Sequence, residues 1–127
     1  DTYRKFAARV KTAKKDFMNF LFDVKKEGKT IVGNSCPGRC VTLLNYYGVD
    51  SDLLPYIAEQ STSLKLDMYL PGKQIPIVNN EILIQEQPDY VVLLAWHYAT
   101  PIMNQLKERG LKSNFVIPLP DLKILEN

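Results

Sequence analysis

One histidine and two cysteines are all that this chain of 127 residues has of the side chains most used for metal binding, redox work and thiol catalysis. Cys36 and Cys40 stand four apart around Pro37-Gly38-Arg39, which is neither a disulfide framework nor the closer pair of a zinc knuckle. With His97 they make three ligands from distant segments where structural zinc takes four, so no metal site is assigned. Reduced thiols in a cytoplasmic setting are the expectation. His97 would have to serve any Ser-His or Cys-His pair, and Gly33-Asn34-Ser35-Cys36-Pro37 lacks the last glycine of a nucleophile elbow. No catalytic residue is assigned. Long apolar runs are missing too. A membrane span needs roughly 18–20 such residues, and Tyr90–Trp96, the longest run, has core-strand length. No membrane partner is expected. The opening stretch lacks an apolar leader and starts with Asp1 rather than Met, so the chain reads as a piece of a longer protein. Repeats and low-complexity tracts are absent.

What is present fits one globular domain. Hydrophobic residues make up 46% and charged residues 24%, near the averages of about 45–50% and about 25%. The net charge of +2 is unevenly spread: residues 1–30 hold nine Lys/Arg against four Asp/Glu, and residues 31–127 hold seven against ten. In the basic segment Phe6, Val10, Ala13, Phe17, Phe20 with Leu21, and Val24 recur at helical spacing. This predicts an amphipathic docking helix within 1–28, with Lys25 and Lys26 in its last turn and Gly28 beyond it. Asp16, Asp23 and Glu27 interrupt the positive charge, so the lysines read as a solvated face and no nucleic-acid partner is expected.

Residues 29–120 then alternate between strand and helix patterns. Thr30-Ile31-Val32 is a strand ending at Gly33; Val41, Leu44 and Tyr47 line a helix stopped by Gly48; Leu54–Ala58 offers a second strand. Residues 59–74 read as a long irregular loop. Ile75–Val78 is extended, and Asn79 or Asn80 can cap a brief helix through Gln87. Tyr90–Trp96 shows no polar alternation, as a central parallel strand should. The next helix has Ile102, Met103 and Leu106 inward, Pro101 in its first turn and Gly110 as its stop. Phe115–Ile117 is read as the last strand, and 121–127 as a tail. The alternation predicts a three-layer α/β sandwich with a mostly parallel sheet. Ligands in such sheets bind past the carboxyl ends of the strands, which confines the site to four loops: Gly33–Arg39, Glu59–Lys73, Trp96–Tyr98 and Pro118–Pro120.

The first loop has the form G-x-S-x-x-G, so Gly33, Ser35 and Gly38 can turn the chain around a phosphate while Arg39 adds a guanidinium. The competing reading is a tight strand-to-helix turn with no ligand. Trp96-His97-Tyr98 brings stacking surface and the lone imidazole to the end of the most apolar strand, or else seals the core edge. Lys65, Tyr69 and Lys73, on the long loop, can face a negative ligand.

These residues resemble a known family. Val32 through Asn45 is similar to the Val-Gly-Tyr-Gly-Ala-Pro-Ala-Lys-Gly-Asn-Thr-Leu-Leu-Asn segment in the C-terminal domain of sugar C-methyltransferases. Pro71-Gly72 followed by Ile75-Pro76-Ile77 resembles that family's Pro-Gly-Thr-x-Ile-Pro-Ile. Pro88-Asp89-Tyr90-Val91 through Trp96 resembles its Pro-Asp-Tyr-Val strand, which ends in Trp-Asn, and Val116–Pro120 has a counterpart as well. Ser35 stands where the family has its second glycine, and Arg39 stands for lysine. The resemblance implies a Rossmann-like domain that helps hold a nucleotide-linked keto sugar. It also implies S-adenosylmethionine and zinc in upstream domains, with which this chain would partner, and methylation at carbon after proton loss beside the keto group. No cofactor is expected in this chain, which alone should not turn over substrate. The implied substrate-binding set is Gly33, Ser35, Gly38, Arg39, Lys65, Tyr69, Lys73, Trp96 and His97. Two alternatives stand beside it: a non-catalytic binding or interaction module whose glycine turn is only structural, and a regulatory domain that binds an adenine nucleotide.

Overall fold

The computed structural model describes residues 2–35, 44–60, 69–70, 75–118 and 122–127. The first element, α1 (Thr2–Lys26), is where the spacing predicts it. Its end is closed by local chemistry: Gly28 takes φ +74°, its N–H donates to Lys25 O at 3.1 Å, and Lys29 N–H donates to Val24 O at 3.0 Å. This double closure satisfies carbonyls the helix leaves open and needs a left-handed residue, hence glycine. A 25-residue helix is about 37 Å long, whereas a four-residue strand spans about 13 Å. The helix must therefore overhang the sheet. Ala13, Phe17, Leu21 and Val24 are buried, but Phe6 is 65% exposed. The apolar face expected from Phe6 to Val24 thus seals the core only over its second half. Because α1 ends beside the start of the first strand, its free half projects past the strands' carboxyl ends.

Among the described residues the sheet has seven strands: β1 (Ile31–Asn34), β2 (Ile57–Glu59), β3 (Tyr69–Leu70), β4 (Ile75–Asn79), β5 (Tyr90–Leu93), β6 (Asn114–Ile117) and β7 (Lys123–Leu125), in the order β3-β4-β2-β1-β5-β6-β7. The five inner strands are parallel, and β3 and β7 join antiparallel at the two edges. Helical residues 44–47 (α2) and α1 cover one face, over a core of Phe17, Leu21, Leu44, Leu54, Ile57, Val92 and Leu94. On the other face, α3 (Glu81–Glu86) and α4 (Ala99–Glu108) enclose Val32, Leu83, Val91, Leu93, Leu106 and Phe115. The predicted three-layer α/β sandwich is the fold. Along β5 the residues alternate between the two cores, so both faces are covered and the apolar run needs no polar partner.

Four local expectations change. The second strand begins at Ile57, after the exposed Pro55, rather than at Leu54. The central strand stops at Leu93, opposite Asn34, the last residue of β1, and Trp96–Tyr98 forms a 3₁₀ turn instead of a strand tip. Within the loop read over 59–74, Tyr69–Leu70 pairs with Ile75–Pro76 as β3. The supposed tail supplies β7, with Phe115 opposite Leu125 and Ile117 opposite Lys123. In each case pairing with a neighbour, not the apolar pattern, sets the strand. At α4, Pro101 lies in the first turn and Gly110, at φ +100°, closes the end, as predicted. No helix among the described residues is long and apolar enough to cross a membrane.

The amino-terminal edge of the sheet is clamped by side chains. Thr30 N–H donates to Asp89 Oδ2 at 2.8 Å, Thr30 Oγ1–H donates to the same oxygen at 3.2 Å, and Asp89 N–H donates to Thr30 Oγ1 at 2.9 Å. The aspartate of the Pro-Asp-Tyr-Val segment thus ties the starts of β1 and β5. Asp89→Ala is expected to cost about 1–2 kcal/mol, since exposed bonds to a charged group sit at the modest end of their range. Urea unfolding of Asp89→Ala, Thr30→Val and the pair checks this. The two losses should overlap, and strict additivity would show that the Thr30 and Asp89 side chains are not coupled.

Two phenols predict a pH response. Burial, then the neighbouring Tyr46, raises Tyr47 above its ordinary 10.0. Burial, then its hydrogen bond to Glu86 at 2.8 Å and that carboxylate's charge, raises Tyr56. The unfolded chain releases these protons near pH 10 while the native chain keeps them, so their contribution is complete below about pH 10 and is lost as pH rises further. Denaturant midpoints should fall as pH rises above about 10, and fall less in a Tyr47→Phe, Tyr56→Phe double variant. An identical fall in both proteins would refute this.

Candidate functional site

The strand order reverses between β1 and β5: one half of the sheet grows from β1 through β2 and β4, the other through β5 and β6. In open α/β sheets the crevice past the carboxyl ends at such a reversal is where ligands sit. Here that rim is made by Asn34-Ser35 and by Leu94 through His97, held together by Leu94 N–H donating to Asn34 O at 3.2 Å. The end of β1, where the glycine turn begins, and the tryptophan segment therefore share one rim.

At the β1 end the polar groups are committed to the fold. Asn34 is buried, and its Nδ2 donates to Asn80 Oδ1 at 2.8 Å and to Ala58 O at 3.3 Å. This ties the ends of β1 and β2 to the turn after β4. Of the two asparagines expected as caps, Asn80 is spent on Asn34, and Asn79 Oδ1 accepts from Glu81 N–H at 3.0 Å. Ser35 has φ +66°, a left-handed backbone uncommon outside glycine. That conformation gives a physical reason for glycine at this position in the resembled segment. Gly33 N–H donates to Tyr56 O at 3.0 Å and Ser35 N–H to Ala58 O at 2.8 Å, so both are consumed in the sheet. Gly33 itself lies inside β1, where an added Cβ would come 3.0 Å from Leu94 Cδ1 and 3.1 Å from Ile57 Cγ1. Close packing explains this glycine.

At the β5 end the 3₁₀ turn lays the Trp96 and His97 rings 5.2 Å apart, and Tyr98, 68% exposed, seals no core edge. Beside them opens a cavity of about 670 Å³ lined by Phe6, Arg9, Val10, Trp96, His97, Ile117 and Lys123. Phe6, Arg9 and Val10 share one face of the overhanging half of α1. Ile117 ends β6, and Lys123 faces it in the register of β7. The walls are largely apolar. Three of the lining groups are basic, and no Asp or Glu is among the described residues that line the cavity. The volume lies within the roughly 300–1,000 Å³ of small-molecule sites.

Of the sequence-derived set, Trp96 and His97 line this cavity, Ser35 stands on the same rim without lining it, and Gly33 is packed inside β1. Tyr69 belongs to β3 at the far edge, four strand positions from β5 or about 19 Å at ordinary strand spacing. Gly38, Arg39, Lys65 and Lys73 lie outside the described residues. Sequence reasoning missed Phe6, Arg9, Val10, Ile117 and Lys123. One signal was available: a 25-residue helix is too long for four-residue strands, so part of its apolar face had to border something other than the core. Among the described residues no group of three or more His, Cys, Asp or Glu could hold a metal ion.

The family model for the C-methyltransferase C-terminal domain matches residues 1–120. C-methyltransferase NovU of Streptomyces niveus is 32% identical over 126 residues, covering 97% of this chain and 29% of that protein. The chain thus spans less than a third of its relative's length.

Proposed function

Because the chain belongs to the C-methyltransferase C-terminal domain family, we propose that it positions a nucleotide-linked keto sugar for methylation at carbon. In this reading S-adenosylmethionine is bound by an upstream catalytic domain, which also supplies the residues that remove the proton and guide methyl transfer. The present chain contributes a binding wall and no catalytic group. The observation that carries the reading is the cavity at the strands' carboxyl ends, where Trp96 and His97 meet basic side chains. An aromatic ring can stack on a base or cover a sugar face, and positive charge complements diphosphate oxygens. Tyr3 and Phe6, 78% and 65% exposed on the overhanging end of α1, give the upstream domain an apolar surface to meet.

Trp96 is the chain's single tryptophan, so its fluorescence reports on this cavity alone. Titration with thymidine- and uridine-diphosphate sugars should produce a saturable change in emission matched by calorimetric heat. A flat response in both measurements across millimolar ligand would refute the reading. One observation favours a second reading, an interaction module whose glycine turn is structural: the N–H groups of Gly33 and Ser35 are already bonded within the sheet. In that case Trp96 emission would respond to the upstream domain and not to nucleotide sugars.

A further inference from the structure

We propose that Arg9 and Lys123 provide an anion contact of this cavity. The inference rests on the functional reading above and names the residues that would meet the ligand's charge. A phosphate cradle made of backbone needs donors that point outward unpaired. In the described part of the turn the two candidates are taken, Gly33 N–H by Tyr56 O and Ser35 N–H by Ala58 O. Releasing either would open the ladder between β1 and β2. The Ser35 hydroxyl is directed at Asn34 Oδ1, 3.4 Å away. Positive charge instead reaches the rim from two elements distant in sequence.

Arg9 lies one turn beyond Phe6 on the overhanging face of α1, and Lys123 opens β7 opposite Ile117; both line the cavity that holds Trp96. The two cations are unlike in a useful way. A guanidinium offers a planar fork that can grip two phosphate oxygens, whereas an ammonium is a mobile point charge. With Trp96, Phe6, Val10 and Ile117 forming apolar wall and no carboxylate among the described lining residues, the ligand that fits is an anion with a flat or apolar body. A nucleoside diphosphate has this form.

The test is binding of thymidine diphosphate to the chain, read by Trp96 fluorescence and calorimetry at two salt concentrations. Arg9→Ala and Lys123→Ala should each weaken binding about 10-fold and the double variant about 100-fold, the size expected for charge-assisted bonds. The double variant should also flatten the salt dependence. Arg9→Lys should bind between wild type and Arg9→Ala, and Ser35→Gly should bind as wild type does. Lys123 is exposed, so Lys123→Ala should keep the wild-type unfolding midpoint, and affinities of the Arg9 variants are compared at temperatures where each is fully folded. Wild-type affinity in the double variant, or loss of binding in Arg39→Ala with Arg9→Ala unaffected, overturns the assignment while leaving the functional reading intact. Failure of the wild-type chain to bind at all overturns both.

Discussion

Truncating Phe17 to alanine is expected to lower the free energy of unfolding by about 3–5 kcal/mol, the usual cost of emptying a fully buried phenyl site. Phe17 is wholly inaccessible and packs with Leu21, Val24 and Leu44 on the α1 face of the sheet. Its ring lies 5.8 Å from that of Tyr47 at a 49° tilt, a geometry that adds to simple area burial. Phe6, on the same helical stripe two turns beyond the rim, makes the control. At 65% exposure, Phe6→Ala should change stability by less than about 0.5 kcal/mol. Urea unfolding at unchanged slope measures both. A loss below 1 kcal/mol for Phe17→Ala would mean that α1 is not part of the core. Since α1 also walls the cavity, any ligand response of Trp96 should weaken in Phe6→Ala although the fold is untouched, which separates the helix's two jobs.

Gly33→Val should destabilise the chain by about 1–3 kcal/mol through overpacking. The Cβ would stand 3.0 Å from Leu94 Cδ1, 3.1 Å from Ile57 Cγ1 and 3.3 Å from Leu54 Cδ2. Two further methyl groups would then enter a space these fully buried side chains already fill. Gly33→Ala should cost less, because each neighbour is a side-chain carbon that can give by a few tenths of an ångström. If Gly33 served a ligand rather than packing, the alanine variant would keep its stability and lose affinity. The expected result is the reverse, a lower unfolding midpoint with the emission response of Trp96 retained.

Both predictions concern positions that the sequence marks clearly but explains incompletely. Gly33 stands out at the head of a G-x-S-x-x-G turn, and its spacing suits a phosphate loop and a close-packed strand end equally well. Leu54 and Leu94, the side chains that decide between them, are 21 and 61 residues away. Ser35 is similar: its left-handed backbone sits beside the bonds of Asn34 to Ala58 and Asn80, which are invisible before β1, β2 and β4 are placed side by side.

What the chain's own residues determined is whatever depends on short-range physics. The extent of α1, the closures at Gly28 and Gly110 and the place of Pro101 in α4 are set by bonds within a few residues, so spacing and capping chemistry reveal them. The layered α/β class was legible for a related reason, because a change of apolar period from helix to strand is written along the chain. The tertiary structure alone decided where strands stop and what faces the cavity. β5 ends at Leu93, opposite Asn34 at the end of β1, and β7 pairs along the outer edge of β6. Arg9 and Lys123, 114 positions apart, share one cavity because the strand order brings the β6–β7 edge beneath a helix too long for its sheet. Pairing and overhang are relations between distant segments, and no local pattern encodes them.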